Sequence, residues 1–234
     1  TDFTTNSRYL LRDMVATACK NGLEIFTNNE LLRIESSENI VKANCSNGNF
    51  QGKNMVVCLG GEIEKFSDLK IKKSFAPIAV VKNIAEDAES FVELDIFKKN
   101  CINIVTKGKS FGLIGGISLA KENEAQKYFN FMINEHKKIN SKIEVLEKYI
   151  GIKNEISTKK ENRNYLFHII PPKKYKNVWS VIPGKFTLAF SLAPEFYRLV
   201  YNKNPRKFFD TTSDTGEFSN LIEETVWQEI QKKE

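Results

Sequence analysis

The 234-residue chain is 41% hydrophobic and 27% charged, with 17 Phe, a globular composition with enough apolar content for one large domain or two small ones. Its net charge of +6 and pI near 9.0 admit acidic ligands, but the lysines are scattered. That pattern reads as solvated surface rather than a nucleic-acid footprint. Cys19, Cys45, Cys58 and Cys101 show no C-x-x-C spacing and no nearby histidine, which argues against zinc and against a disulfide framework. With no run of 18 apolar residues and no signal-like segment, the chain is expected to be cytoplasmic and without a membrane span. It begins at Thr1 rather than Met, which reads as a processed or truncated product.

In chain order, residues 7 to 20 carry Leu10, Leu11, Met14, Val15 and Ala18 on one helical face, stopped by Asn21-Gly22. Strands are expected at Leu23 to Thr27, Leu31 to Glu35 and Ile40 to Cys45, with a turn at Asn47-Gly48. The run Asn54 to Gly61, NMVVCLGG, is continuously apolar before two glycines, as a buried strand of a nucleotide-binding sheet ends. From residue 74 the character changes. Phe75 to Lys82, Ile102 to Thr106 and Phe111 to Ile117 read as antiparallel strands, and Gly112, Gly115 and Gly116 mark a bend or a close ligand approach. Lys121 to Lys138 has a helical stripe of Ala125, Tyr128, Phe129, Met132 and Ile133. Ser141 to Ile150 fits helix or strand, and Tyr165 to Ile170 is a strand.

Val181 to Arg198, VIPGKFTLAFSLAPEFYR, organises the rest. A short apolar run is broken by Pro183-Gly184, and Leu188, Leu192, Phe196 and Leu199 then recur near helical spacing. The first N–H groups of such a helix are unpaired, and its dipole adds positive potential suited to an anion or a ring oxygen. Thr215 to Lys232 reads as a terminal amphipathic helix.

Gly184 to Pro194 resembles the C-terminal flavin-binding segment of the D-amino-acid oxidase-like family of FAD-dependent oxidoreductases. The Gly184 start and the Leu192-Ala193-Pro194 end match, while Lys185, Phe186 and Ala189 depart from that family's commoner His and Gly residues. Gly22 to Ile34 resembles its helix–Gly–strand unit, with Leu31 near the adenine end of FAD, and Met55 to Gly61 resembles its second sheet strand. The resemblance implies a mixed α/β (α+β) fold. Residues 1–73 and 178–234 would form a partial FAD/NAD(P)-binding sheet with helices, and 74–177 an antiparallel-sheet substrate domain. No G-x-G-x-x-G occurs anywhere, so the expected chain is a fragment, or a subunit completed by a partner chain that supplies the missing segment.

The activity implied is oxidation of an amine or amino acid by hydride transfer to flavin. The alternatives are a tRNA-modifying flavoenzyme of the same fold and a non-catalytic scaffold that has lost FAD. Cofactor-binding candidates are Leu31, Gly60, Gly61, Gly184, Lys185, Phe186 and Thr187. Arg163 offers a planar fork for a substrate carboxylate or is one more surface charge of the run Lys159 to Arg163, and Tyr165 lines an aromatic pocket or the core. His168 shuttles a proton or is a packed strand residue. Lys185 stabilises charge at the reduced ring or faces solvent. His136, late in a helix where a cation suits the dipole, has no catalytic role in this reading. No hydrolase motif and no RNA-stacking pattern is present; the partner expected is a small molecule.

Overall fold

The computed structural model describes residues 6–85, 87–95, 100–108, 110–156, 168–171, 173–182, 186–206 and 216–233. The fold is mixed α/β, as expected. Its chain divides into two compact units. Unit 1 comprises residues 1–23, 74–153 and 210–234; unit 2 comprises 24–73 and 154–209. A chain break near residue 74 is common to this division and the sequence-based one, but the outer segments are grouped differently.

In unit 1, helix α1 (Ser7–Lys20) starts where the Asn6 side chain accepts from the Arg8 and Tyr9 amides, satisfying first-turn donors. Only Ala16 of this helix is fully buried; of the expected stripe Leu10, Val15 and Ala18 are half-buried and Leu11 and Met14 exposed, so the stripe packs in part. The Arg8 guanidinium donates to the carbonyls of Ser219 and Ile222, at 3.2 and 3.3 Å. Those carbonyls close the 3-10 turn Gly216–Leu221. The single C-terminal helix expected over 215–232 is therefore split. Thr225 opens a new helix, Val226–Gln231, through a reciprocal capping box with Gln228.

The expected antiparallel sheet is present and separate from the one that holds Met55–Val57. Strands β5 (Ile71–Lys82), β6 (Phe91–Asp95), β7 (Asn100–Thr106), β8 (Phe111–Gly115) and β9 (Glu144–Ile156) lie in the order β6-β7-β8-β5-β9, with antiparallel pairing registered through the first four. Ser141 to Ile150 resolves largely as strand. Helix α2 (Glu122–Ile139) places Ala125, Phe129, Met132 and Ile133 at helical spacing. The last three pack with Ala79, Val81, Ile104 and Ile114 of the sheet, as period-3.6 and period-2 patterns demand of facing layers. The sheet glycines serve this packing rather than a ligand. A Cβ on Gly115 would stand 2.8 Å from Asn103 Oδ1, one on Gly116 2.5 Å from the Tyr128 ring, and one on Gly112 inside Ile84. His136 is 1% exposed. Burial pushes its pKa down, against the carbonyls of Gly115 and Asn103, which favour the charged form. It is a neutral core residue, not the dipole-stabilised cation expected.

In unit 2, strands β1 (Leu31–Ser36), β2 (Val41–Cys45) and β3 (Gly48–Gly52) form an antiparallel meander; the turn falls at Ser46-Asn47, one residue before the expected Asn47-Gly48, because Gly48 pairs with Cys45 as the first residue of β3. Leu23 to Thr27 is not a strand. It has no partner strand, its Leu23, Ile25 and Phe26 are exposed, and the Phe26 ring lies 4.7 Å from that of Phe50. A third sheet joins β4 (Met55–Val57), β10 (His168–Ile170) and β11 (Val178–Ile182).

Two outcomes test this packing. Gly116→Ala should lower stability by about 1–3 kcal/mol, the usual cost of overpacking, read from thermal unfolding. Stability should also fall as pH drops below about 6.5, the ordinary His value, because the unfolded chain then binds a proton that buried His136 resists. His136→Gln should flatten that part of the pH–stability curve.

Candidate functional site

Met55-Val56-Val57 and Val178-Trp179-Ser180-Val181-Ile182 are rich in β-branched residues that suit a pleated, covered surface. They pair in parallel, Val178 with Met55, Trp179 with Val56 and Ser180 with Val57. β10 joins antiparallel, with His168 opposite Ile182. One face is closed by a core of Val57, Val178 and Ile182 with Ile34, Val41 and Ile63. On the other, the Trp179 and Phe196 rings meet edge to face at 5.8 Å. That contact lays helix α3 (Ala189–Tyr201) over the sheet.

Parallel pairing puts the carboxyl ends of β4 and β11 at the same edge, where open α/β sheets bind ligands. β4 ends within three residues of Gly60, which has φ +54°, a conformation that suits glycine. Gly61 follows and opens the 3-10 turn Gly60–Lys65. A Cβ on Gly61 would stand 2.8 Å from Asn154 Oδ1 and 3.4 Å from Lys73 Cε. That Asn154 oxygen is buried and makes no hydrogen bond. β11 ends at Ile182, and the chain re-enters as the 3-10 turn Phe186–Leu188 leading straight into α3. The helix has neither a side-chain cap nor an acidic residue in its first turn, so no carboxylate there offsets the positive end of its dipole.

The sheet thus brings Gly60 and Gly61, Phe186 and the backbone of Thr187, and the His168 position to one edge, since His168 pairs with the last residue of β11. Phe186 is 41% exposed. Leu31 opens β1, in a different sheet, and packs on the same core. Arg163, Tyr165, Gly184 and Lys185 lie outside the described residues. The indole Nε1 of Trp179 is buried and unpartnered, while Asn154 and Lys73 were not expected as site residues. Asn154 and Lys73 stand far from the glycines in sequence and carry no motif.

Neither titratable group of the β4 loop is poised for catalysis. Cys58 is exposed as a residue, yet desolvation of its sulfur raises the thiol, which stays protonated at neutral pH. The Lys65 ammonium, bonded to Glu62, holds that carboxyl below its ordinary value. All four cysteines are free, and among the described residues no group of His, Cys, Asp and Glu is arranged to hold a metal. No described helix is long and apolar enough to cross a membrane.

Gly61→Ala should destabilise the fold by about 1–3 kcal/mol through its clash with Asn154. Asn154→Ala in the same chain should recover part of that loss. The coupling, measured by a double-mutant cycle in urea, should vanish if the two residues do not touch.

No protein-family model matches the chain, and no curated protein matches it in sequence. Solved structures do. Iminodiacetate oxidase from Chelativorans sp. BNC1 matches with a TM-score of 0.61 at 12% identity, over 86% of this chain and 56% of that one. L-proline dehydrogenase from P. horikoshii matches with 0.57 at 14%, over 81% and 54%. The flavin-dependent halogenase CmlS matches with 0.52 at 10%, over 71% and 32%. The chain therefore spans about half the length of the oxidase and the dehydrogenase. At these identities the likeness is one of fold: the chain has the mixed α/β architecture of part of these enzymes.

Proposed function

We propose that this chain is part of a flavin-dependent oxidoreductase that oxidises the C–N bond of an amine or amino acid. The observation that carries the reading is the carboxyl edge of the parallel β4–β11 pair, at which the Gly60-Gly61 turn and a helix N-terminus without a side-chain cap both emerge. An electron-rich ring oxygen and a flat ring fit such an edge. The unpartnered Asn154 oxygen beside it is a ready acceptor for a ring N–H or a ribityl hydroxyl. Two of the fold neighbours bear the names of carboxylated secondary amines, iminodiacetate and proline, which supports a substrate of that kind.

Bound FAD would supply the two-electron acceptor for hydride from the carbon beside nitrogen. The chain's own part is orientation and electrostatics. In this reading Arg163 grips the substrate carboxylate, Tyr165 walls the pocket and His168 moves a proton. Lys185 and the N–H groups of Phe186 and Thr187 stabilise charge on the reduced ring, while Leu31 stands toward the adenine end.

A dinucleotide-binding segment outside this chain completes the site. Parallel sheets are covered on both faces, yet β4 has no strand on its outer edge among the described residues. Val56 is 43% exposed, and Phe190, Leu199 and Tyr201 of α3 are each more than half exposed. A partner chain contributing a parallel strand and a covering helix would bury them.

Purified alone, the chain should be colourless, and the protein isolated from its native source should carry visible flavin absorption that anaerobic iminodiacetate or proline bleaches. Native protein that releases no flavin on denaturation would leave the scaffold reading in its place. In the flavin-loaded protein, Arg163→Ala should weaken binding of a carboxylate substrate by about 1.5–3 kcal/mol, and Lys185→Met should chiefly slow flavin reduction.

A further inference from the structure

Unit 1 holds a cavity of about 990 Å³ that the proposed flavin edge does not use. It opens between the last turn of α2 and the segment that leads from β5 into β6. The Asn140 amide ties these two walls by donating to the Asn83 carbonyl at 3.1 Å. The size is that of a small-molecule site. Its walls are apolar, from Ile84, Ala88, Phe91, Ile104 and Ile143. A void among such residues forfeits dispersion contacts.

His136 is the buried polar side chain of that wall. Among the described residues, four buried side-chain polar atoms lack a hydrogen bond, and His136 Nε2 is the one that belongs to a residue of this cavity. Buried polar atoms in native proteins are almost always satisfied; the Gly115 and Asn103 carbonyls lie close enough to favour the charged ring, yet Nε2 has no hydrogen-bond partner and calls for one. Desolvation keeps the imidazole neutral, and a neutral imidazole has one nitrogen that donates and one that accepts. A hydroxyl answers either nitrogen, since it does both; a carbonyl or an ammonium answers only one.

The charged residues of the lining, Glu89 and Lys142, are opposite in sign and both exposed, so they favour neither an anion nor a cation. A charge carried inward would be desolvated against aliphatic side chains. The Phe91 and His136 rings, with centroids 6.2 Å apart and tilted by 40°, suit a flat aromatic guest. We propose that this cavity is a binding site for a neutral hydroxylated aromatic molecule, its hydroxyl bonded to His136 and its ring among Ile84, Phe91 and Ile104.

The test uses 2-naphthol and its isostere without a hydroxyl, 2-methylnaphthalene, titrated into the full chain at pH 8 and followed by fluorescence. Saturable binding of 2-naphthol at one site is expected, about tenfold tighter than 2-methylnaphthalene for one hydrogen bond gained. His136→Phe should erase that preference, and Ala88→Trp should weaken both compounds by filling the cavity. The ring ¹⁵N resonances of His136 in the unmutated chain should shift with 2-naphthol and stay unmoved by 2-methylnaphthalene, which keeps the test independent of how the variants fold. No saturable binding, equal affinity for the two compounds, or unmoved His136 resonances with 2-naphthol would overturn the proposal. None of these readouts involves flavin, so they stand or fall apart from the oxidoreductase reading.

Discussion

The parallel pairing of Met55–Val57 with Val178–Ile182 is the constraint on which unit 2 depends. Two short strands more than a hundred residues apart must meet, and the entropy of closing so long a connection is recovered only when both are buried. The core of Val57, Ile63, Val178 and Ile182 supplies that burial on one face. Once the register is set, the geometry of a parallel pair leaves no freedom in where the two carboxyl-end loops emerge. Gly60-Gly61 and the entry to α3 share an edge because of it.

The same pairing leaves unit 2 with uncovered apolar surface. α3 has no fully buried residue, although it is more apolar than α1 or α2. A helix whose side chains are half covered on a sheet of three strands is a layer waiting for a second layer. β4 likewise has no strand on its outer edge among the described residues, the edge that the proposed partner segment would cover. In unit 1 the sheet carries α2 on a continuous core of Ile104, Ile114, Phe129 and Met132, and the space beside Gly112, Gly115 and Gly116 is filled by neighbouring side chains.

What the linear order determined follows from periodicity and turn chemistry. α1 and α2 were legible because apolar residues recur at 3.6 and because Asn21-Gly22 is a strong stop. The hairpin between β2 and β3, read one residue late at Asn47-Gly48, the antiparallel block after residue 74, the strand Val178–Ile182 and the helix Ala189–Tyr201 were legible for the same reason. Local pattern failed where partners decided. Leu23 to Thr27 has strand composition but no strand beside it. The C-terminal helix is broken because the Arg8 guanidinium, from the other end of the chain, takes the carbonyls of Ser219 and Ile222.

The reason for each glycine lay beyond the sequence as well. Gly60-Gly61 and Gly115-Gly116 look alike in sequence, but the first pair stands at a parallel sheet's carboxyl edge and the second makes room for Asn103 and Tyr128. His136 has the sequence setting of a helix-end cation. Only packing of α2 on the sheet makes it a buried neutral ring beside a cavity. Composition and spacing determine which segments fold and which faces are apolar; which polar atoms end without a partner depends on contacts between distant segments, and only the tertiary structure decided those.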